Sequence, residues 1–298
     1  MASLKEVRNR IVSVTSTQQI TKAMKMVAAA KLRRAQDNII RMRPYAQRLS
    51  SILTNLSRLT DDAGSNEYSQ QREVNRVLVI AITSDRGLAG AFNTNIAKAV
   101  VSLVNENYAS QMAAGKVEFL TIGKKGYEAL TRRGYKVIDT YTGVFLNLSF
   151  DTVRAAAEYA MERFTAGYYD RVDLVYNEFK NVATQIIRTE QFLPVVEKAE
   201  AQTETTATAN LNYIFEPNKE DIIRELIPKS LKIQVYKAVL ESNASEHGAR
   251  MTAMDKATDN AGELLKELKL TYNRSRQAAI TTEILEIVGG AEALAASR

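Results

Sequence analysis

Apolar residues recur alternately three and four positions apart through Leu4, Val7, Ile11, Val14, Gln18, Thr21, Lys25, Ala28, Leu32, Ala35, Ile39, Met42, Ala46, Leu49, Leu53 and Leu56. Thirteen of these sixteen positions are apolar, and the polar three stand together at Gln18, Thr21 and Lys25. A seam held in one seven-residue register for so long predicts a coiled-coil helix, not a helix of a small compact domain. At 1.5 Å per residue it would run about 80 Å. Pro44 lies inside the register and predicts a local kink or loosening. A second seam of the same spacing passes through Leu240, Ala244, His247, Met251, Met254, Thr258, Ala261, Leu265, Leu268 and Tyr272. It then slips by one residue to Ile280, Ile284 and Ile287, the pattern of a local change in supercoil. This helix is expected to start after Pro217, capped by Asn218, with Pro228 in its first turns, and to reach Gly289-Gly290. Two seams at opposite ends of one chain pair antiparallel when the residues between them fold back as an insertion.

The middle alternates strand-like and helix-like runs. Strands are expected at 76–83, 117–122, 135–141, 171–179, 184–194 and 211–216, with helices at 94–112, 125–132 and 151–165. Such alternation favours a mainly parallel sheet with an antiparallel edge at its end. The expected fold is therefore α/β, a long antiparallel two-helix coiled coil from the two termini with an inserted α/β domain. Its parts are residues 1–59, 76–217 and 218–298, and the polar stretches 60–75 and 198–209 read as links or loops.

Composition narrows the chemistry. The 298 residues contain no Cys and a single His, which excludes disulfides, thiolate or multi-histidine metal sites and cysteine nucleophiles. It leaves little for general-base catalysis. No apolar run approaches the roughly 18 residues of a membrane-spanning helix, and MASLKEVRNR lacks the apolar core of a secretory signal. Any membrane association is expected to be peripheral. The net charge of +6 is unevenly placed: residues 1–60 hold twelve basic side chains against Glu6 and Asp37, a local +10, and the remainder carries −4. A basic arm of this kind is a solvated helix face, a phosphate-binding surface or a dock for an acidic protein.

The segment Thr83-Ser84-Asp85-Arg86-Gly87-Leu88-Ala89-Gly90 stands between a strand and a helix, where dinucleotide folds place their phosphate turn, but it lacks the G-x-G-x-x-G spacing. It reads as a tight structural turn. Gly123-Lys124-Lys125-Gly126 fails the P-loop pattern, because Lys-Lys replaces Lys-Ser/Thr. His247 falls on the seam and reads as a packed or hydrogen-bonded group. Glu283 and Glu286 lie three apart without an acid–base partner nearby. The residues alone describe a long-shafted interaction protein with no catalytic, cofactor or metal site.

Four stretches carry a resemblance. They are Ile20-Thr21-Lys22-Ala23-Met24-Lys25-Met26-Val27-Ala28-Ala29, the loop Ser84–Asn93, Ala244-Ser245-Glu246-His247-Gly248-Ala249-Arg250-Met251, and the run from Ile280 to Ala291. Together they resemble the gamma-subunit family of F-type ATP synthases. The resemblance implies a central rotor whose paired terminal helices enter an alpha/beta catalytic head, with a Rossmann-like insertion that holds no nucleotide. It implies a non-catalytic part that couples proton translocation through a c-ring to ATP synthesis or hydrolysis. The implied partners are the alpha and beta subunits, the epsilon subunit and the c-ring, with no nucleic acid. The implied location is the cytoplasmic side of a bacterial inner membrane. Met24 and Lys25 match positions facing the acidic lever of beta. Arg276, Gln277 and Thr281 match positions that engage a beta loop, supported by Arg250 and Glu283. Tyr213, Ile214, Phe215 and Glu216 match the foot that meets the c-ring and epsilon. Ala89 and Ala91 depart from the Cys and Gly frequent in that loop, and Gly248 interrupts a helix interior at a cost of about 1 kcal/mol relative to Ala. Outside the resemblance, the basic N-terminal arm leaves a nucleic-acid-binding coiled coil as the alternative, and the middle segment a dinucleotide-binding enzyme as a third.

Overall fold

The computed structural model describes residues 4–58, 67–195 and 219–296. The loop expected at 198–209, the strand at 211–216, the Asn218 cap and the foot residues Tyr213, Ile214, Phe215 and Glu216 lie outside them. Two long helices, α1 (Leu4–Arg58) and α6 (Lys219–Ala296), bracket β1 (Val77–Ile82), α2 (Phe92–Asn107), α3 (Ala109–Ala113), β2 (Val117–Ile122), α4 (Lys124–Thr131), β3 (Val137–Tyr141), α5 (Phe150–Thr165), β4 (Arg171–Phe179) and β5 (Gln185–Leu193). The chain divides into two compact units, Met1–Ala28 with Met251–Arg298, and Ala29–Arg250.

In the larger unit the strands form one sheet in the order β3-β2-β1-β4-β5. β1 runs parallel to β2 and β4, β2 parallel to β3, and β5 antiparallel to β4. The central strand β1 is VLVIAI, buried at every position. Its alternation decides the layers. Val77, Val79 and Ala81 pack on Ile96, Val100 and Val104 of α2. Leu78, Ile80 and Ile82 face the other way, into a cluster holding Val153, Ala157, Ala160 and Phe164 of α5 together with Leu231, Val235, Ala238 and Val239 of α6. A third cluster joins Leu32, Ala35 and Ile39 of α1 to Leu240 and Ala244 of α6, the antiparallel pairing that the seams predict. Arg43 of α1 bridges Glu241 of α6 at 3.2 Å.

In the smaller unit the two helices also run antiparallel, with Gln18 and Thr21 beside Thr258 and Lys25 beside Asp255. Val7, Ala28, Met254, Ala261 and Leu265 are its buried apolar seam residues. Every described seam position from Leu4 to Leu49, and from Leu240 to Tyr272, is buried or half-buried.

Some boundaries differ from expectation. The helix expected over 94–112 stops at Asn107, because Tyr108 turns inward and donates its hydroxyl to the buried Asp173. α6 does not end at Gly289-Gly290 but continues to Ala296. Pro44 lies inside α1 at an exposed position, where its ring removes one backbone hydrogen bond from the helix.

Two glycines carry opposite consequences. Gly123 has φ +109° and a Cβ there would lie 2.5 Å from the Thr83 carbonyl oxygen. A Cβ on Gly248 would meet Phe179 and Val182 at 3.5 Å, ordinary packing distance. Gly123→Ala is expected to lower stability by roughly 3 kcal/mol, whereas Gly248→Ala raises it by up to about 1 kcal/mol, both read by urea denaturation.

Candidate functional site

The order of strands places the topological switch point at the carboxyl ends of β1 and β4, where open α/β sheets bind their ligands. In this chain that crevice holds α6. Phe179 donates its backbone N–H to the Glu241 carboxylate at 3.1 Å, and Ser245 donates its hydroxyl to the Asn177 carbonyl at 3.2 Å. The loop after β1 closes over the same helix: the Arg250 guanidinium donates to the carbonyls of Arg86 and Gly87 at 3.2 and 3.0 Å. Arg250 also bridges Glu246 one turn earlier, and both are buried. The loop therefore aims carbonyl oxygens inward at a cation, the opposite of a phosphate cradle, which needs N–H donors.

Side chains within the loop hold that shape. Asn93 accepts the Ser84 N–H at 2.9 Å and donates to the Ser84 hydroxyl at 2.8 Å, and Ser84 donates to the Arg86 carbonyl at 2.7 Å. Asp85 accepts the N–H groups of Lys124 and Gly143 at 3.0 and 3.1 Å. The first turn of α4, which attracts anions, thus has a carboxylate of the chain itself in place. Leu88 has φ +63°, an unusual geometry for a leucine, at the exposed crest of this loop.

Burial dominates the electrostatics here. It raises the Glu246 carboxyl above its ordinary value, an effect that Arg250 opposes. It lowers His247 to about 4, with Arg250 and then Lys31 adding repulsion. The His247 Nδ1 atom is buried without a hydrogen-bond partner among the described residues, so this seam histidine is a packed group.

The sequence-predicted contact residues fall into three settings. Arg250 is engaged inside the larger unit. In the smaller unit Met24 and Lys25 are half-buried at the polar layer, where Lys25 bridges Asp255 at 2.5 Å and the hydroxyls of Thr21 and Thr258 lie 2.8 Å apart. Arg276, Gln277, Thr281 and Glu283 are all exposed. They belong to a stretch of α6 that passes the start of α1 and, among the described residues, has no helix beside it: residues 276–291 are exposed throughout. Ile280, Ile284, Leu285, Ile287 and Val288 lie there with 47–68% of their surface open. Among the described residues no three His, Asp or Glu side chains form a metal-binding group, and no helix is long and apolar enough to cross a membrane.

Sequence reasoning missed Leu231, Val235, Ala238, Val239, Glu241 and Ser245, which hold α6 to the sheet. The signal was present: apolar residues at 231, 233, 235, 238, 239 and 240 make a face too broad for a single seam.

Replacing Arg250 by Met leaves Glu246 buried without its partner and frees two carbonyls. The expected loss is about 3 kcal/mol in urea denaturation, with faster amide exchange across residues 84–90. The folded pKa of His247 lies below its unfolded value of 6.5. Its contribution is therefore complete above 6.5 and lost as pH falls through about 4. His247→Gln should flatten the acid limb of stability against pH in that window, a difference on the order of 3 kcal/mol between the two proteins.

A family model described as ATP synthase matches residues 3–294. The chain is 65% identical over 294 residues to the ATP synthase gamma chain of Cytophaga hutchinsonii and 57% identical over 294 residues to that of Flavobacterium psychrophilum, with 99% of both chains covered in each case. Among solved structures it is similar to the central stalk/c-ring of the Tetrahymena thermophila mitochondrial ATP synthase, at TM-score 0.59 and 27% identity, covering 80% of this chain and 99% of that one. It shares its fold with a chain of the Euglena gracilis mitochondrial ATP synthase at TM-score 0.68 and 22% identity, covering 99% and 95%. None of these similarities supports the nucleic-acid reading. A match along nearly the whole length at such identity means that the chain belongs to the ATP synthase gamma-chain family.

Proposed function

We propose that the chain is the rotating central shaft of an F-type ATP synthase, carrying torque between a membrane c-ring and an alpha/beta head that makes or hydrolyses ATP. The observation that carries this reading is the bare end of α6. Five large apolar side chains on an unaccompanied helix are a patch that water disfavours and a surrounding protein sleeve would cover. The shaft itself performs no chemistry. Its helices present different surfaces to the beta subunits around them, and each surface favours a different conformation by differential binding.

On this reading Met24 and Lys25 meet the acidic lever of beta, and Arg276, Gln277, Thr281 and Glu283 meet a beta loop. Arg250 supports the contact from within by fixing the loop at residues 84–90. Tyr213, Ile214, Phe215 and Glu216 form the foot toward the c-ring and epsilon. Attachment to the membrane is through those partners, on the cytoplasmic side of a bacterial inner membrane. The support for these assignments is family membership, the exposure of residues 276–283 and the charge of the N-terminal arm.

Reconstitution tests the reading. The chain mixed with alpha and beta subunits is expected to bind the head and restore coupled ATP hydrolysis. Ile284→Glu with Leu285→Glu alters only exposed positions, so helicity by circular dichroism should hold, whereas coupled hydrolysis should fall by about tenfold or more. Normal coupling by this variant would remove the sleeve argument, and failure of the unaltered chain to bind the head would sink the shaft reading.

A further inference from the structure

Each of the four parallel strands is entered through a basic residue followed by valine: Arg76-Val77 at β1, Lys116-Val117 at β2, Lys136-Val137 at β3 and Arg171-Val172 at β4. Parallel strands start on one edge of a sheet, so all four cations reach the edge opposite the crevice that α6 fills. Neighbouring strands lie about 4.8 Å apart, which brings the four within roughly 15 Å. The carboxylates at this edge are turned inward and already engaged. Glu118 accepts from Lys136 and, at 2.7 Å, from the Tyr169 hydroxyl. Asp170 accepts the N–H groups of Asn75 and Arg76 at 2.9 and 2.8 Å. Asp173 accepts from Tyr108 and, at 3.3 Å, from Arg171. Arg76, Lys116 and Lys136 stay exposed, as does Arg163 near the end of α5, and Glu73 and Glu162 are exposed acids of the adjoining segments.

Two of these cations are held by rings. The Arg76 guanidinium lies 4.7 Å from the centre of the Tyr168 ring. The Arg163 guanidinium lies 5.3 Å from the same ring and 5.4 Å from that of Tyr159. Tyr168 in turn stands edge-on to the buried Tyr169 at 4.8 Å, which ties the stack to the core. Stacking removes much of the freedom of a long side chain and leaves the N–H fork at the rim of the guanidinium open. Among the described residues neither Arg76 nor Arg163 forms an ion pair. Arg76 also acts electrostatically on Glu118 and on Lys136. The two arginines thus share one ring without a paired carboxylate, a place of positive potential that is ordered before anything binds.

We propose that the amino edge of the sheet around Tyr168 is a binding site for a phosphoryl anion of two or more charges, of the pyrophosphate type. Arg76 and Arg163 take its oxygens in their forks, and Lys116 and Lys136 add charge from the neighbouring strands. A carboxylate carries one charge and two oxygens, which a single arginine satisfies. A pyrophosphate offers oxygens and charge enough for both arginines at once. The crevice at the carboxyl ends of the strands is no competitor, because its loop aims carbonyl oxygens at Arg250. The inference goes beyond the shaft reading and does not depend on it, because it concerns the larger unit alone and its test needs no catalytic head.

The probe is inorganic pyrophosphate, titrated into the full chain at physiological salt by isothermal titration calorimetry, with succinate as a dicarboxylate control. One pyrophosphate is expected to bind per chain, about tenfold or more tightly than succinate. Arg76→Gln with Arg163→Gln should weaken binding about tenfold or more. Tyr168→Leu should weaken it about threefold without altering any charge, whereas Tyr168→Phe keeps the ring and should leave it unchanged. A surface of loose charges would not separate those two variants. Arg8→Glu with Arg10→Glu, in the other compact unit, should also leave it unchanged. Circular dichroism checks the fold of each variant, and Arg163→Gln alone, at an exposed helix position, takes the place of a double variant that does not fold. Vesicles of phosphatidylglycerol with phosphatidylcholine distinguish the source of the phosphoryl group. Capture of the chain that excess pyrophosphate reverses assigns the site to a lipid headgroup, and pyrophosphate binding without capture assigns it to a free anion. Failure of pyrophosphate to saturate, equal binding of succinate, or full retention of binding by the double variant would each overturn the proposal.

Discussion

The larger unit depends on α6 being apolar on two faces at once. Leu231, Val235, Ala238 and Val239 complete the hydrophobic layer over Leu78, Ile80 and Ile82 of the central strand. Within the next two turns Leu240 and Ala244 turn to Leu32, Ala35 and Ile39 of α1. One helix therefore closes the core of the sheet and forms half of the coiled coil. A parallel sheet needs cover on both faces, and α5 alone does not cover this one. Sheet and helix pair are thus held by one continuous buried surface, and neither face of α6 can be exposed without loss to the other.

Polar groups fix where this packing stops. Glu241 and Ser245 satisfy backbone groups at the end of β4, and Arg250 satisfies carbonyls in the loop after β1. Buried polar atoms without partners are costly, so these bonds select one axial position of α6 against the strand ends where a sliding apolar contact would tolerate several. They also fill the crevice in which related sheets hold a ligand. A fold suited to nucleotide binding has become a clamp on its own helix.

Much of the fold was legible because its signals are periodic. The seams from Leu4 to Leu49 and from Leu240 to Tyr272 fall on buried or half-buried positions, and β2 and β4 have the expected bounds. Periodicity failed where a single side chain decided the outcome. Tyr108 ends α2 by reaching Asp173, which lies 65 residues away in sequence. The contact residues were less legible. Motif matching singled out Arg250 without indicating that its guanidinium closes on the loop at residues 86–87. The slipped stripe Ile280, Ile284 and Ile287 has the spacing of a local change in supercoil, yet this part of α6 lies beyond the start of its partner helix and is open.

Sequence by itself determined the heptad seams, the alternating middle, the uneven charge and the lack of cysteine and near lack of histidine, since each is a matter of residue type and spacing along one chain. Tertiary structure alone decided which face of α6 meets the sheet and that Arg250 and Asp85 occupy the places a ligand would take. Spacing specifies what a segment is able to bury. The partner that buries it, and the surface left over, depend on residues far away in sequence that only the folded chain brings within a few ångströms.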